Sequence, residues 1–170
     1  ILGSGADTLL LSCPICYRIF RENYNLGKMR IVHHTEYFAE LIGSGTIGML
    51  HGSDRYVFHD PCELGRGCGI YDEPRAVLSA AGELVEAEKH HRESICCGGS
   101  LGSLTLGFEK RQAMTENALH NLTAASPDSI VTACPLCLST FHRYADRPVM
   151  DIAEVVDRNM IPADSNDIDD

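Results

Sequence analysis

The sequence predicts an α/β fold in which helices flank a mainly parallel sheet built from a repeated unit. Three observations carry that prediction. Short apolar, β-leaning runs alternate with segments of helical spacing along most of the 170 residues, and such alternation builds parallel sheets through crossover helices. The chain also repeats itself: Asp7-Thr8-Leu9-Leu10-Leu11-Ser12-Cys13-Pro14-Ile15-Cys16 stands over Asp128-Ser129-Ile130-Val131-Thr132-Ala133-Cys134-Pro135-Leu136-Cys137 at a constant offset of 121, with Phe20 over Phe141. Each copy places its Cys-x-x-Cys behind an apolar run and ahead of helical spacing, with proline where a helix start tolerates it best. The unit reads as strand, cysteine turn, helix.

In chain order, the first strand ends before Cys13 and the first helix follows it. Residues 30–33 are the next strand and residues 35–42 the next helix, with Thr35 as N-cap and Gly43 as stop. After a gap of seven, Ala39-Glu40-Leu41-Ile42 matches Ala153-Glu154-Val155-Val156 at offset 114, so each copy carries a second helix behind its cysteine unit. Residues 43–53 are glycine-rich and weakly patterned, and the boundary between copies is placed there. Strands are expected at 55–59, 83–88 and 148–150 and directly before Cys134, with helices at 72–80, 108–122 and 151–159, the last capped by Asp151. The expected organisation is a C-terminal remnant of a first unit over residues 1–43, a complete second unit over 54–162, and a disordered tail over 163–170. That tail holds four aspartates and little to bury.

An apolar content of 44% in this length supports one core of ordinary domain size. Lys plus Arg number 14 against 24 Asp plus Glu, and no basic stripe with interleaved aromatics occurs, which argues against nucleic-acid binding. The chain opens at Ile1 without a basic segment or long apolar run, so neither a signal peptide nor a membrane span is expected. Eight cysteines without a secretory signal suit reduced thiolates. A cytoplasmic setting, with peripheral attachment to the cytoplasmic membrane face as a variant, is the expectation.

The cysteines carry the chemistry. Cys62 is followed after 33 residues by Cys96-Cys97-Gly98, and Cys97 after a further 36 by Cys134-Pro135-Leu136-Cys137. If each follows a strand, Cys62, Cys96, Cys97, Cys134 and Cys137 meet at the carboxyl ends of the sheet, where ligands gather in such folds. Several thiolates together match the softness of iron, and strand-end turns offer backbone N–H groups to their sulfurs. Helix N-termini following Cys97 and Cys137 are expected to favour the thiolate. A single Cys-x-x-Cys would equally bind zinc or exchange disulfides, so it is the ordered set that favours a cluster.

His59-Asp60-Pro61-Cys62-Glu63-Leu64-Gly65-Arg66, Gly69-Ile70-Tyr71-Asp72-Glu73-Pro74-Arg75, Arg92-Glu93-Ser94-Ile95-Cys96-Cys97-Gly98-Gly99 and Thr132-Ala133-Cys134-Pro135-Leu136-Cys137 resemble the segments of a known family. It is the cysteine-rich CCG domain of heterodisulfide reductase-type and glycolate oxidase-type iron–sulfur oxidoreductase subunits, and the likeness spans nearly the whole chain. The resemblance implies that these five cysteines ligate a [4Fe–4S] cluster, non-cubane in the heterodisulfide reductase branch. It also implies partners: a flavin dehydrogenase or membrane quinone-linked subunit, and an N-terminal remainder of the same protein. Two departures follow. Cys13 and Cys16 form an incomplete site, able at most to hold zinc, and Cys68 falls where the family has no cysteine and is read as a non-ligand.

Other residues receive weaker readings. His59 is a hydrogen-bond donor to cluster sulfur, a proton carrier, or a structural cap on its strand. His33-His34 and His90-His91 are read as solvated pairs. Gly98, Gly99, Gly102 and Gly107 make no phosphate loop and are assigned to close approach to the cluster. Arg66 and Arg75 either offset cluster charge or sit at helix ends, and Tyr17, Phe20, Phe141 and Tyr144 are core. The competing functions are a zinc-stabilised docking module and a cofactor-free thiol–disulfide module.

Overall fold

All six strands of the computed structural model, which describes residues 1–99 and 101–161, pair in parallel. The tail expected at 163–170 lies outside the described residues. β1 (Thr8–Leu11) and β2 (Arg30–His33) form a two-stranded sheet. A four-stranded sheet runs in the order β4 (Glu83–Val85), β3 (Arg55–Phe58), β5 (Ser129–Thr132), β6 (Val149–Asp151). The helices are α1 (Pro14–Asn23), α2 (His34–Gly43), α3 (Gly65–Cys68), α4 (Asp72–Ala81), α5 (Phe108–Thr123), α6 (Pro135–Phe141) and α7 (Ile152–Asn159). The α/β prediction with parallel pairing therefore holds, with the strands divided between two sheets, and α3 is an addition to it.

Alternation along the central strands explains why they read as unbroken apolar runs. Tyr56, Phe58 and Val131 enter one core with Val77 and Leu78 of α4 and Val155 of α7. Val57 and Ile130 face the other way, against Ala118, Leu119 and Leu122 of α5 and Phe141 of α6. Side chains of a strand point to opposite faces in turn, so a sheet covered on both sides needs apolar residues at every position. α2 packs on α4 and α7, which joins the smaller sheet to the helical layer of the larger one.

The internal repeat is visible in strand register. Leu9, Leu10 and Leu11 face Ile31, Val32 and His33 in the first sheet, as Ile130, Val131 and Thr132 face Val149, Met150 and Asp151 in the second. The strands before the cysteines keep the offset of 121, whereas the strands after them correspond at 118. The helix caps agree with 118: His33 and Asp151 are both N-caps, each completing a capping box with the glutamate three residues on, Glu36 and Glu154. The sequence match at 114 thus slips by about one helical turn of 3.6 residues, which keeps the apolar face aligned and so escapes pattern matching. The N-cap of α2 is correspondingly His33 and not Thr35; its Nδ1 accepts the Thr35 backbone N–H at 3.5 Å.

Two features position the site. In the strand order the chain leaves β3 toward β4 on one side and returns to β5 on the other, so the topological switch lies between β3 and β5. A crevice opens at the carboxyl ends of such a strand pair. Secondly, the glycine-rich connector at 43–53 is tied to the chain's later end: Leu50 N–H donates to Asn159 O at 2.7 Å, Ile161 N–H donates to Gly48 O at 2.9 Å, and Met49 and Met160 form an antiparallel bridge.

Candidate metal centre

Cys62 leaves β3 through His59-Asp60-Pro61, and Cys134 leaves β5 as the N-cap of α6, so these two cysteines flank the switch crevice. Cys62, Cys97, Cys134 and Cys137 line one small cavity with Pro61, Glu63, Leu136 and Ile15. Cys96 joins them through thiol hydrogen bonds with Cys62 and Cys97, and Cys97 and Cys134 both bond Cys137. The structure therefore brings together all five cysteines singled out in the sequence, strung in the order Cys62, Cys96, Cys97, Cys137, Cys134. Cys97, Cys134 and Cys137 are buried, and Cys62 and Cys96 partly so.

Backbone amides converge on the sulfurs. Gly99 N–H donates to Cys97 Sγ at 3.4 Å, Gly98 N–H bonds Cys96, and the N–H groups of Cys137 and Leu136 bond Cys134. Protonation follows these bonds. Hydrogen bonds from Cys62 and Cys97 hold Cys96 well below the usual thiol range, while the bond to Cys96 raises Cys62. The Cys137 bond and the helix-start amides bring Cys134 down to about 7 against the opposing effect of burial. At Cys97 the Cys137 bond lowers the thiol, but its own bond to Cys96 and its burial outweigh that and push it up to about 12. Cys137 is raised by its bonds to Cys134 and Cys97 and by burial.

The expectation of helix starts behind Cys97 and Cys137 needs correction. Cys137 sits inside the first turn of α6, so the helix N-terminus acts on Cys134. Among the described residues behind Cys97, Gly98 takes φ 77°, a short 3-10 turn spans Leu101–Ser103, and α5 starts only at Phe108. Gly98 and Gly99 are required by helix packing. A Cβ at Gly98 would meet Arg111 O at 2.7 Å, and one at Gly99 would meet Thr140 Oγ1 at 1.9 Å. Gly107 has nothing within 4 Å of an added Cβ, so close approach does not explain it. Thr115 Oγ1 donates to Cys97 O at 2.7 Å and Ser103 Oγ donates to Gly98 O at 2.6 Å, which fixes the loop from both sides.

His59 is fully buried, and both ring nitrogens are committed to protein groups. Nε2–H donates to Ile95 O at 3.2 Å, leaving Nδ1 to accept from Thr132 Oγ1 at 3.3 Å, and burial brings the ring down to about 4. The structural reading is the one these contacts support, since a neutral His59 ties the turn before Cys62 to the segment before Cys96. Asp60, to which the sequence pattern assigns no role, is the hub beside it. Its carboxylate takes a bidentate pair from Arg75 at 2.8 and 2.9 Å and the His91 N–H at 2.7 Å. Its position two residues before Cys62 is the one signal that points to it. Arg75 also grips Glu86, and Arg66 donates to the carbonyls of Arg92 at 3.1 Å and Ser94 at 2.8 Å, so both arginines are structural clamps.

Cys13 and Cys16 stand apart from the five-cysteine string as free thiols hydrogen-bonded to each other, with Cys16 exposed and raised by that hydrogen bond. Cys68 packs at the edge of the other core, beside Arg18 and Arg21. His33 and His34 are buried, contrary to the solvated reading, because one caps α2 and the other begins it beneath Phe38. His90 and His91 are partly buried. Tyr17 and Phe141 are core residues as expected.

An α/β unit that gathers five thiols at its switch crevice is, by class, a cysteine-rich domain. The chain belongs to the CCG family, described as a cysteine-rich domain, whose model matches residues 56–142. It is 30% identical over 89% of its length to the EtfAB:quinone oxidoreductase of Syntrophomonas wolfei, covering 24% of that protein. It is 33% identical over 89% of its length to the probable iron-sulfur-binding oxidoreductase FadF of Bacillus subtilis, covering 23% of it. One component of the dihydromethanophenazine:CoB–CoM heterodisulfide reductase of Methanosarcina barkeri is 30% identical over 78% of the chain, with 34% of that component covered. The chain thus spans between a quarter and a third of the length of these relatives. Among the described residues, no helix is long and apolar enough to cross a membrane.

Proposed function

We propose that this chain is the iron–sulfur domain of a multi-subunit oxidoreductase, in which Cys62, Cys96, Cys97, Cys134 and Cys137 hold one [4Fe–4S] cluster. When bound, such a group accepts and returns single electrons. The observation that carries the reading is the convergence of five thiols, with backbone N–H groups directed at three of them, in the crevice between β3 and β5. Amides aimed at sulfur stabilise negative charge there and so favour the reduced state of an iron–thiolate centre. The chain's own residues position the sulfurs: His59 through Ile95, Asp60 through Arg75 and His91, and Thr115 through the Cys97 carbonyl.

The electron route is inferred from the relatives' names, a quinone oxidoreductase and a heterodisulfide reductase component among them. Electrons pass from a flavin dehydrogenase partner to a thiol/disulfide or quinone acceptor, on the cytoplasmic side and with peripheral membrane attachment where the acceptor is a quinone. Residues 1–43 are the remnant of a first CCG unit and 54–162 a complete second one, a reading that the shared register of β1–β2 and β5–β6 supports. A zinc module needs only four ligands, and a thiol–disulfide exchanger leaves three of the five sulfurs without a task. Anaerobic purification followed by iron, sulfide and zinc analysis tests the proposal. Iron with stoichiometric sulfide and a reducible electron paramagnetic resonance signal is the expected result; zinc without sulfide at these cysteines overturns it.

A further inference from the structure

Among the described residues, one group of side chains apart from the thiols is arranged like a ligand set. Glu86, His90 and His91 bring a carboxylate oxygen and two imidazole nitrogens within 4.8 Å of one another. We propose that these three residues bind a single divalent transition-metal ion of the zinc class, with at least one coordination position left open.

Neighbouring residues on extended backbone point to opposite sides, so two adjacent histidines do not ordinarily share a ligand. Here the backbone is turned to make them do so. His90 is extended at φ −132°, and His91 takes φ 53°, the left-handed region that a residue with a Cβ rarely adopts. The result is that the two Nδ1 atoms face each other at hydrogen-bonding range, with ring centroids 4.7 Å apart. Without an ion the facing nitrogens share a proton; an ion takes that proton's place once the two rings turn so that both lone pairs converge on it.

The strained residue is held from outside. The His91 N–H donates to Asp60 Oδ2 at 2.7 Å, and its ring stacks on Tyr71 with centroids 5.4 Å apart. Glu86 is oriented by Arg75, whose Nε and Nη2 bond its two oxygens at 2.7 and 3.1 Å. A carboxylate has about four lone-pair directions, so two remain for a metal. Glu86 thus has a hydrogen-bonded partner behind its carboxylate, as ligands of protein metal sites do, and His91 is held through its backbone N–H and its stacked ring.

Two imidazoles and one carboxylate form a borderline donor set. It suits zinc or ferrous iron, and it lacks the oxygen-only shell that calcium and magnesium require. Three protein ligands leave a fourth position for water or a small anion. That position has access, because a cleft of about 450 Å³ is lined by Tyr71, Glu88, His90, His91, Arg92 and Glu93. Glu88 and Glu93 add negative charge to the cleft, while the charge of Arg75 is shared with Asp60. Since Ser94 Oγ also donates to Asp60 O at 3.1 Å, an ion here braces the loop that leads into Cys96 and Cys97.

The test uses the whole chain, purified anaerobically and titrated with zinc chloride, with calorimetry and zinc X-ray absorption as readouts. The expected result is one equivalent of zinc whose shell contains only nitrogen and oxygen at about 2.0–2.1 Å, distinct from sulfur at about 2.3 Å. His90→Ala and Glu86→Gln should each weaken that component at least tenfold and leave iron content unchanged. Zinc bound only through sulfur, or a nitrogen–oxygen component that survives both substitutions, overturns the proposal. Because the shell composition separates this site from the thiols, its failure would leave the iron–sulfur reading untouched.

Discussion

Ile15 and Leu136, equivalent positions in the two Cys-x-x-Cys turns, line the same cavity as the sulfurs of Cys62, Cys97, Cys134 and Cys137. The β1–α1 unit therefore supplies cover for the thiols gathered around β3 and β5. Leu10 and Ile19 of the same unit are 47% and 45% exposed, whereas Ile15 is partly buried by its place at the site.

Removing that cover should change access without changing ligation. Ile15→Ala is expected to leave anaerobic iron content near that of the unaltered chain and to speed iron loss in air several-fold. The check is iron release followed optically after oxygen exposure. Equal rates in the two proteins would count against a covering role.

Cys134→Ser or Cys137→Ser should abolish iron binding, since a hard hydroxyl at the start of α6 replaces a soft sulfur. Cys68→Ser should leave iron content and the paramagnetic spectrum unchanged, because Cys68 packs beside Arg18 and Arg21 and outside the thiol cavity. Loss of iron in Cys68→Ser with retention in Cys62→Ser would reverse the ligand assignment.

Gly99→Ala forces a methyl group to within 1.9 Å of Thr140 Oγ1. Overpacking of this kind costs about 1–3 kcal/mol. Chemical denaturation should show that loss, and Gly99→Ala combined with Thr140→Gly should recover much of it, as coupled neighbours do. Gly107→Ala, with open space around it, serves as the neutral comparison.

Burial, aided by the neighbouring His34 charge, brings His33 down to about 3; burial alone brings His34 down to about 4 and lifts Asp151 to about 6. His34 Nε2 lies 3.7 Å from Asp151 Oδ1, yet no pH populates the ion pair, for the carboxyl is neutral below its value and the imidazole neutral above its own. Unfolded histidines bind protons below about 6.5 while these two do not. Each therefore destabilises the fold as pH falls from there toward its folded value. Asp151 opposes them between its folded value and about 3.9, where the folded carboxyl holds the extra proton. With His59, which burial likewise brings to about 4, three histidines against one carboxyl leave a net loss of about 2.7 kcal/mol per pH unit between roughly pH 6 and pH 4. Urea midpoints across that range should fall accordingly, and His34→Leu should flatten the decline. An unaltered chain with a flat profile would disprove the assignment.

Much of this architecture was legible because short apolar runs end one to three residues before Cys13, Cys62 and Cys134, and strand ends of a parallel sheet are where such turns belong. What escaped was set by groups that only meet in three dimensions. A histidine caps α2 where Thr35 reads better, since nothing in the order of residues shows which side chain can reach the free amides. The slip between offsets 114 and 118 is invisible to a helical pattern that repeats each turn. Asp60 carries no signature beyond its place two residues before Cys62, because its partners Arg75 and His91 lie 15 and 31 residues away. The burial of His33 and His34 is hidden for the same reason, as it depends on the packing of α2.

The bridge between Met49 and Met160 brings the entry and the exit of the larger unit to one point on the surface. A folded segment closed in this way behaves as a cassette: it can be spliced into another polypeptide, or its ends rejoined and new ends opened elsewhere, without drawing strands out of its sheet.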